Sequence, residues 1–458
     1  HDSRVGYETR IEAAIHSFRN HHASEKTRRK ERGFRQVPAP APQRGNSLTG
    51  KTLLIPNWDN LSLKLVVAAL ARESLDARLL EESTASIQKG LRHNTGQCIP
   101  LNIIAQDFMD YIEKYNLDPS RTVLWMGASD IACNIHLYPM HIRSILASRG
   151  RSMAKAGIHV GALSMQDLSL RMVPAVYLAY LFGGTLRRIG CRLRPYENVR
   201  GETDKAIERS LDVLVQAFGG ERPKEEALAE ALALFDTVAV TMERRPKVAV
   251  FGDLYARDNG IVNQDLIPFI EANGGEVITT PYSTYLKLVA KPYLRKWFFE
   301  GHYLEAFTSG LLMAGLKLQE KTYSRIFDRI LGSSEPEFDE PPAKILSEYN
   351  VRIENTGESM DNLLKIHHIM KCHPDVALFV QASPAFCCPA LVTEAMARRI
   401  EKKTGVPIVS VTYDGTGGNK NEVIIPYLKY PRIHKNQEQK SEYRIPKFET
   451  NPKIRILE

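Results

Sequence analysis

The sequence has no apolar run near about 18 residues and no signal-peptide pattern, so neither a helical membrane span nor a secretory route is expected. The cytoplasm is the expected compartment, with no membrane partner. Cysteine is scarce. Six in 458 residues cannot make a disulfide scaffold, and reduced thiols follow as the default. No GxSxG, HExxH or GxGxxG element is present, which removes the serine-hydrolase elbow, the helical zinc-protease site and the dinucleotide fingerprint.

Net charge is missing where a nucleic-acid groove needs it. The overall balance is +8, but residues 1–46 carry 10 Lys/Arg against 5 Asp/Glu, and residues 431–458 carry 7 against 4. Residues 47–430 are therefore formally neutral. A phosphate-binding groove makes the folded body itself basic, so no nucleic-acid partner is expected. The basic ends read as solvated or docking segments. Because the chain opens on His1 rather than Met, an upstream portion is expected to be missing.

What is present is a repeating alternation of strand and helix patterns. Residues 1–47 read as a basic segment and a Pro-Ala linker, "SEKTRRKERGFRQVPAPAPQRGNS". "KTLLIPN", "DARLLEE", "RTVLWMG" and "IHVGAL" are strand candidates, and "LNIIAQDFMDYIEKYN" repeats apolar residues at helical spacing. "DLSLRMVPAVYLAYLFGG" predicts a helix ending at its glycines, followed by a charged helical segment over 202–243. The pattern then restarts with "KVAVFGDLY", a helix over 262–273, "EVITTPY", "DVALFVQAS", a helix over 388–403 and "VPIVSVTYDG". Such alternation implies βαβ units and parallel sheets. The expected fold is α/β: two Rossmann-like lobes with parallel sheets, the first over 48–244 with a helical connector, the second over 245–430. A helical insertion over about 284–335 is expected to pack on the second lobe, and 431–458 is a basic tail.

In open α/β sheets ligands sit where strands give way to helices. Cys98 in "RHNTGQCIPLN", Cys133 in "MGASDIACNIHLYP" and the Cys387/Cys388 pair in "SPAFCCPAL" all fall at loops leading into helices. Small buried hydrophobes, a disulfide half, a nucleophile and metal ligands are the alternatives for such thiols. A helix N-terminus lowers a thiol pKa and stabilises anionic sulfur, which a metal ligand requires. Cys191 and Cys372 fall at no such loop and read as structural. In "KIHHIMKCHPD", His368 and Cys372 share a helix face, a possible two-ligand zinc arrangement, but no second pair accompanies them. "YDGTGGNKNE", Tyr413 to Glu422, lacks a Walker ending and reads as a tight loop at a sheet edge, with a nucleotide-binding ATPase loop as its alternative.

The segments "LRHNTGQCIPLNIIAQDFMD", "RLRPYEN", "PKVAVFGDLYARDNGIVNQDLIPFIEANGGEVITTPY" and "FVQASPAFCCPALVTEAMARRIEKKTGVPIVSVTYDGT" occur in that order over about 50–430. They resemble the iron–sulfur protein of the 2-hydroxyacyl-CoA dehydratase / CoA-enzyme activase superfamily, and more closely the cysteine-containing portion of its large fused activase proteins. That resemblance implies two lobes clasping a 4Fe–4S cluster held by three loop cysteines, or a double-cubane 8Fe–9S cluster at a dimer interface. Carried onto this chain, it assigns Cys98, Cys133 and one of Cys387 and Cys388, with Cys387 favoured because Cys388 would point into the core. The family's Gly-Gly-x-Cys is replaced here by "ASDIAC", which weakens Cys133. The family's ATP-binding activase module has no counterpart in these residues.

The resemblance further implies an anaerobic electron-transfer chemistry. An ATP-dependent activator delivers one low-potential electron, and a radical on an acyl-CoA substrate then lets its 2-hydroxyl leave. A homo- or heterodimer is expected. His136, shortly after Cys133, and Glu394, one turn after Cys388, are the remaining catalytic candidates. Two contrasting expectations are a double-cubane-type reductase and a non-catalytic regulatory or scaffold module whose basic ends dock a partner.

Overall fold

Four short apolar strands, Thr52–Ile55 (β1), Asp76–Leu79 (β2), Thr122–Met126 (β3) and Gly157–Val160 (β4), build the first sheet. In this computed structural model the described residues are 15, 48, 50–94, 96–126, 133–160, 172–284, 294, 297–299, 301–331, 340–353, 358–431 and 455–456. The first sheet is parallel throughout in the order β2-β1-β3-β4, with Thr52 opposite both Asp76 and Thr122. After a pair of residues, Thr241–Met242 (β5), the second sheet is formed by Lys247–Gly252 (β6), Glu276–Ile278 (β7), Val376–Pro384 (β8) and Ile408–Tyr413 (β9). It too is parallel, in the order β7-β6-β8-β9. All nine residues of β8 are buried, as expected of a strand covered by helices on both faces.

The two lobes thus repeat one topology, in which the first and third strands are neighbours and the chain leaves them in opposite directions. Such a switch point opens a crevice at the strands' carboxyl ends. The lobes belong to one compact unit, Pro42–Glu458. A single apolar cluster runs from Leu54 and Leu124 of the first sheet to Val250 and Val380 of the second, and it contains both Cys98 and Cys387. In the separate unit His1–Ala41 only Ile15 is described. The linker 24–47 and nearly all of the basic tail therefore lie outside the described residues; within the tail, Arg455–Ile456 pairs parallel with β5.

Three expectations change. The helix expected to stop at Gly183 and Gly184 instead runs from Met172 to Leu193. A Cβ on Gly183 would lie 2.4 Å from Ser62 Oγ and 2.6 Å from Ser62 Cα, so this glycine permits a close helix crossing with Asn60–Arg72 rather than capping a terminus. The charged segment 202–243 is broken into helices Glu202–Gly219 and Lys224–Ala233, the first closed by Gly220 in the left-handed region at φ 91°. The insertion contains the long helix Tyr303–Leu331, but that helix packs on the first lobe. Tyr323 and Phe327 lie edge-on to Phe182 at 5.1 and 5.4 Å, and Tyr177 donates to Glu320 at 3.0 Å. Leu316, Tyr323, Phe327 and Ile330 form one apolar stripe at helical spacing, and the matching apolar face belongs to Met172–Leu193.

Candidate functional site

All three cysteine loops end as helix caps. Cys98 caps Ile99–Lys114, Cys133 caps the short turn Asn134–Leu137 that runs into Tyr138–Ser148, and Cys387 caps Cys388–Ala395. Prolines at the first or second position of Ile99–Lys114, Tyr138–Ser148 and Cys388–Ala395 suit helix starts, where an amide hydrogen is dispensable. Cys133 and Cys387 follow equivalent strands, β3 and β8, of the two sheets. Cys98 differs from expectation: a helix, Thr84–Gly90, and a turn separate it from β2, so it does not leave a strand directly. Residues 127–132, which contain most of "ASDIAC", lie outside the described residues.

The fold brings these loops together. The Ile99 amide, next to Cys98, donates to the Ala385 carbonyl at 3.4 Å, two residues before Cys387. The Cys388 thiol donates to Asn134 Oδ1 at 3.0 Å, next to Cys133. Tyr138 ties the set: it is buried, and Cys98, Cys133 and Asp253 all act on its hydroxyl electrostatically. Burial, reinforced by these neighbours, holds its pKa well above the usual phenol range. Asp253 leaves β6 and faces Cys387, whose thiol donates to Oδ2 at 3.9 Å. Burial pushes the Asp253 carboxyl up, opposed by amide donors from Ala256 at 2.8 Å and Tyr255 at 2.9 Å.

Cys98 and Cys387 are 5% and 4% exposed, Cys133 is half-buried and Cys388 is exposed. Cys388 therefore does not point into the core; it faces the Cys133 loop, and the reason for preferring its neighbour falls. Phe386, just before the pair, sits at φ 64°, a left-handed conformation that costs a non-glycine residue about 1 kcal/mol or more. That turn sets Cys387 into the apolar cluster and Cys388 at the surface. His136 is exposed, and its Nδ1 contacts the Cys133 carbonyl at 2.8 Å, so it orders the loop. Glu394 is exposed on the outer face of its helix.

The other cysteines are elsewhere. Cys191 is buried in Met172–Leu193, and burial pushes its thiol up. Cys372 is exposed at a helix end, whereas His368 is buried and pushed down to about 4, a neutral core histidine rather than half of a zinc pair. The glycine-rich loop after β9 closes on itself: Asp414 accepts from the Thr416 amide at 2.9 Å and its hydroxyl at 2.7 Å, and pairs with Lys420. Gln88 of the first lobe donates to the Gly415 carbonyl at 3.2 Å, so the loop bridges the lobes.

"RLRPYE" is a strap. Arg194 makes a double contact with Glu271 at 2.8 and 2.9 Å, and Arg192 and Tyr196 both reach Glu276, at 2.9 and 2.7 Å. Deeper in, Arg187 joins Asp59 at 2.5 Å and Asp258 at 3.6 Å, while Arg257 holds Asp258 at 2.6 Å. None of these partners was singled out from sequence. Asp253 had a signal, since it directly follows β6 in "FGDLY"; so did Asp107, a charge within the apolar face of "LNIIAQDFMD".

No family model and no curated protein matches this chain. The site must be read from its own donors. Among the described residues no three His, Cys, Asp or Glu side chains are grouped to hold a single metal ion. The donor set is nonetheless soft, four thiols at three helix starts, and a cubane keeps its cysteine sulfurs farther apart than one ion does, on the order of 6–7 Å.

Proposed function

We propose that the chain is an iron–sulfur redox protein of the 2-hydroxyacyl-CoA dehydratase/activase type, taking low-potential electrons from an ATP-dependent activator and passing them to an acyl-CoA or another small molecule. What supports it is the contact among three distant cysteine-bearing loops, each ending at a helix start, through the Ile99–Ala385 and Cys388–Asn134 hydrogen bonds. Cys98, Cys133 and one of the Cys387/Cys388 pair would hold the cluster; when bound, it supplies one-electron chemistry that no side chain offers. Tyr138 and Asp253 line the buried side, and the apolar cluster that contains Cys98 and Cys387 excludes water.

Anaerobic reconstitution of the full chain with iron and sulfide tests this. We expect visible cluster absorbance and bound iron in wild type, both lost when Cys98→Ala, Cys387→Ala and Cys388→Ala are combined. Wild type that folds yet takes up no iron would favour the regulatory or scaffold module.

A further inference from the structure

The long helix Tyr303–Leu331 carries two apolar faces, and the chain itself covers one of them. Tyr323, Phe327 and Ile330 pack on the first lobe. On the far side of the helix Leu304, Phe307, Leu311 and Leu318 point outward, 72%, 71%, 67% and 71% exposed. Their steps of three, four and seven residues are those of a coiled-coil seam rather than of scattered surface leucines. An aromatic group extends the seam at the helix start. Phe298 lies edge-on to Phe299 at 6.1 Å and to Tyr303 at 5.2 Å, and all three are more than half exposed. These side chains leave roughly 600–900 Å² of apolar surface in water, more than an ordinary monomer shows in one patch.

We propose that this face pairs with the same face of a second copy of the chain, the two helices antiparallel and centred on Leu311. A closed two-fold pair must be self-complementary, and this stripe is. Its bulky residues lie toward the helix start. Its smallest, Ala314 and Gly315, lie beyond Leu311, both exposed, and a Cβ on Gly315 would meet nothing within 4 Å among the described residues. Antiparallel alignment about Leu311 sets Leu304 against the second copy's Leu318 and turns Phe307 toward the second copy's Ala314–Gly315 gap, a knob facing a hole. Charge selects the same orientation. Lys317 and Lys321 flank the stripe and are exposed. A parallel pair would set each lysine beside its own copy, whereas the antiparallel pair holds the two Lys317 about 18 Å apart along the axes and the two Lys321 farther. The area agrees: two such faces bury on the order of 1,200–1,800 Å², the range of a stable, specific interface. The pairing requires no bound cluster and draws nothing from the cysteine loops.

Sedimentation velocity of the iron-free full chain tests this. Wild type should sediment as a dimer at micromolar concentration and dissociate on dilution. Leu311→Asp should weaken self-association by about 30-fold or more and keep the circular dichroism spectrum, since it replaces a side chain two-thirds exposed. Phe307→Asp, at a second exposed contact, gives the same readout should Leu311→Asp aggregate. Orientation is read by mass spectrometry after mild oxidation. Leu311→Cys should yield a peptide linked to itself, Leu304→Cys should not, and a mixture of Leu304→Cys with Leu318→Cys should link those two. Wild type that stays monomeric up to about 100 μM, or a dimer that survives both aspartate variants, would overturn the pairing. A Leu304→Cys peptide linked to itself would overturn the antiparallel register. So would a monomer that binds vesicles of mixed neutral and anionic lipid and loses that binding in Leu311→Asp, which would give the face to a lipid surface instead.

Discussion

At the scale of single residues, buried charge without a partner is the feature with the largest consequences. Asp107 is buried with both oxygens unpaired, and its carboxyl is pushed up to about 8. Its unfolded pKa is near the ordinary aspartate value of about 3.9. A raised acid pKa means the folded state binds the proton more tightly, so this contribution to stability is complete below about pH 4 and is lost as pH rises through about 8. Asp107→Asn, which cannot ionise, should therefore match wild type at low pH and exceed it at about pH 8.5, by on the order of 5 kcal/mol. Thermal melts at the two pH values check this; equal losses in both proteins would contradict it. Gly183 gives the opposite kind of constraint. Gly183→Ala places a methyl 2.4 Å from Ser62 Oγ and should cost about 1–3 kcal/mol through overpacking, measured by denaturant unfolding.

At the scale of elements, two contacts decide the architecture. The buried group of Asp59, Arg187, Asp258 and Arg257 joins the lobes, and removing one member strands the others in a low-dielectric interior. Arg187→Met should cost about 3–5 kcal/mol, far more than removing an exposed pair such as Arg78–Asp76, worth about 0–1 kcal/mol. The long helix Tyr303–Leu331 is the second contact. Phe327→Ala should cost about 3–5 kcal/mol, and hydrogen exchange should quicken in Met172–Leu193 rather than in the second sheet. Faster exchange confined to β6 to β9 would return the helix to the lobe that its position in the chain suggests.

At the scale of the whole molecule, the strap, the buried ion group, the Glu82 contacts and the shared apolar cluster all cross between the lobes. The lobes should unfold in one transition. In Arg187→Met the calorimetric trace should separate into two, because the lobes then lose the contact that couples them; a single sharp peak in the variant would argue that the apolar cluster alone suffices. Nucleotide binding by the loop after β9 is not expected, since Asp414 already occupies its amide and lysine donors.

Sequence by itself determined the local elements. Apolar runs of strand length alternating with helical spacing specify βαβ units, and β1 to β4 and β6 to β9 each coincide with a segment so marked, with only Gly157 and Pro384 one residue outside. The cysteine loops were legible for the same reason, because a proline-bearing turn before an apolar helix is a local signal. Tertiary structure alone decided which lobe the long helix joins, where Met172–Leu193 ends, which way Cys388 faces, and that Asp253 and Tyr138 lie beside the thiols. Each of those outcomes depends on burial and on partners tens to hundreds of residues away, and propensity and periodicity carry no information about a charge's distant partner.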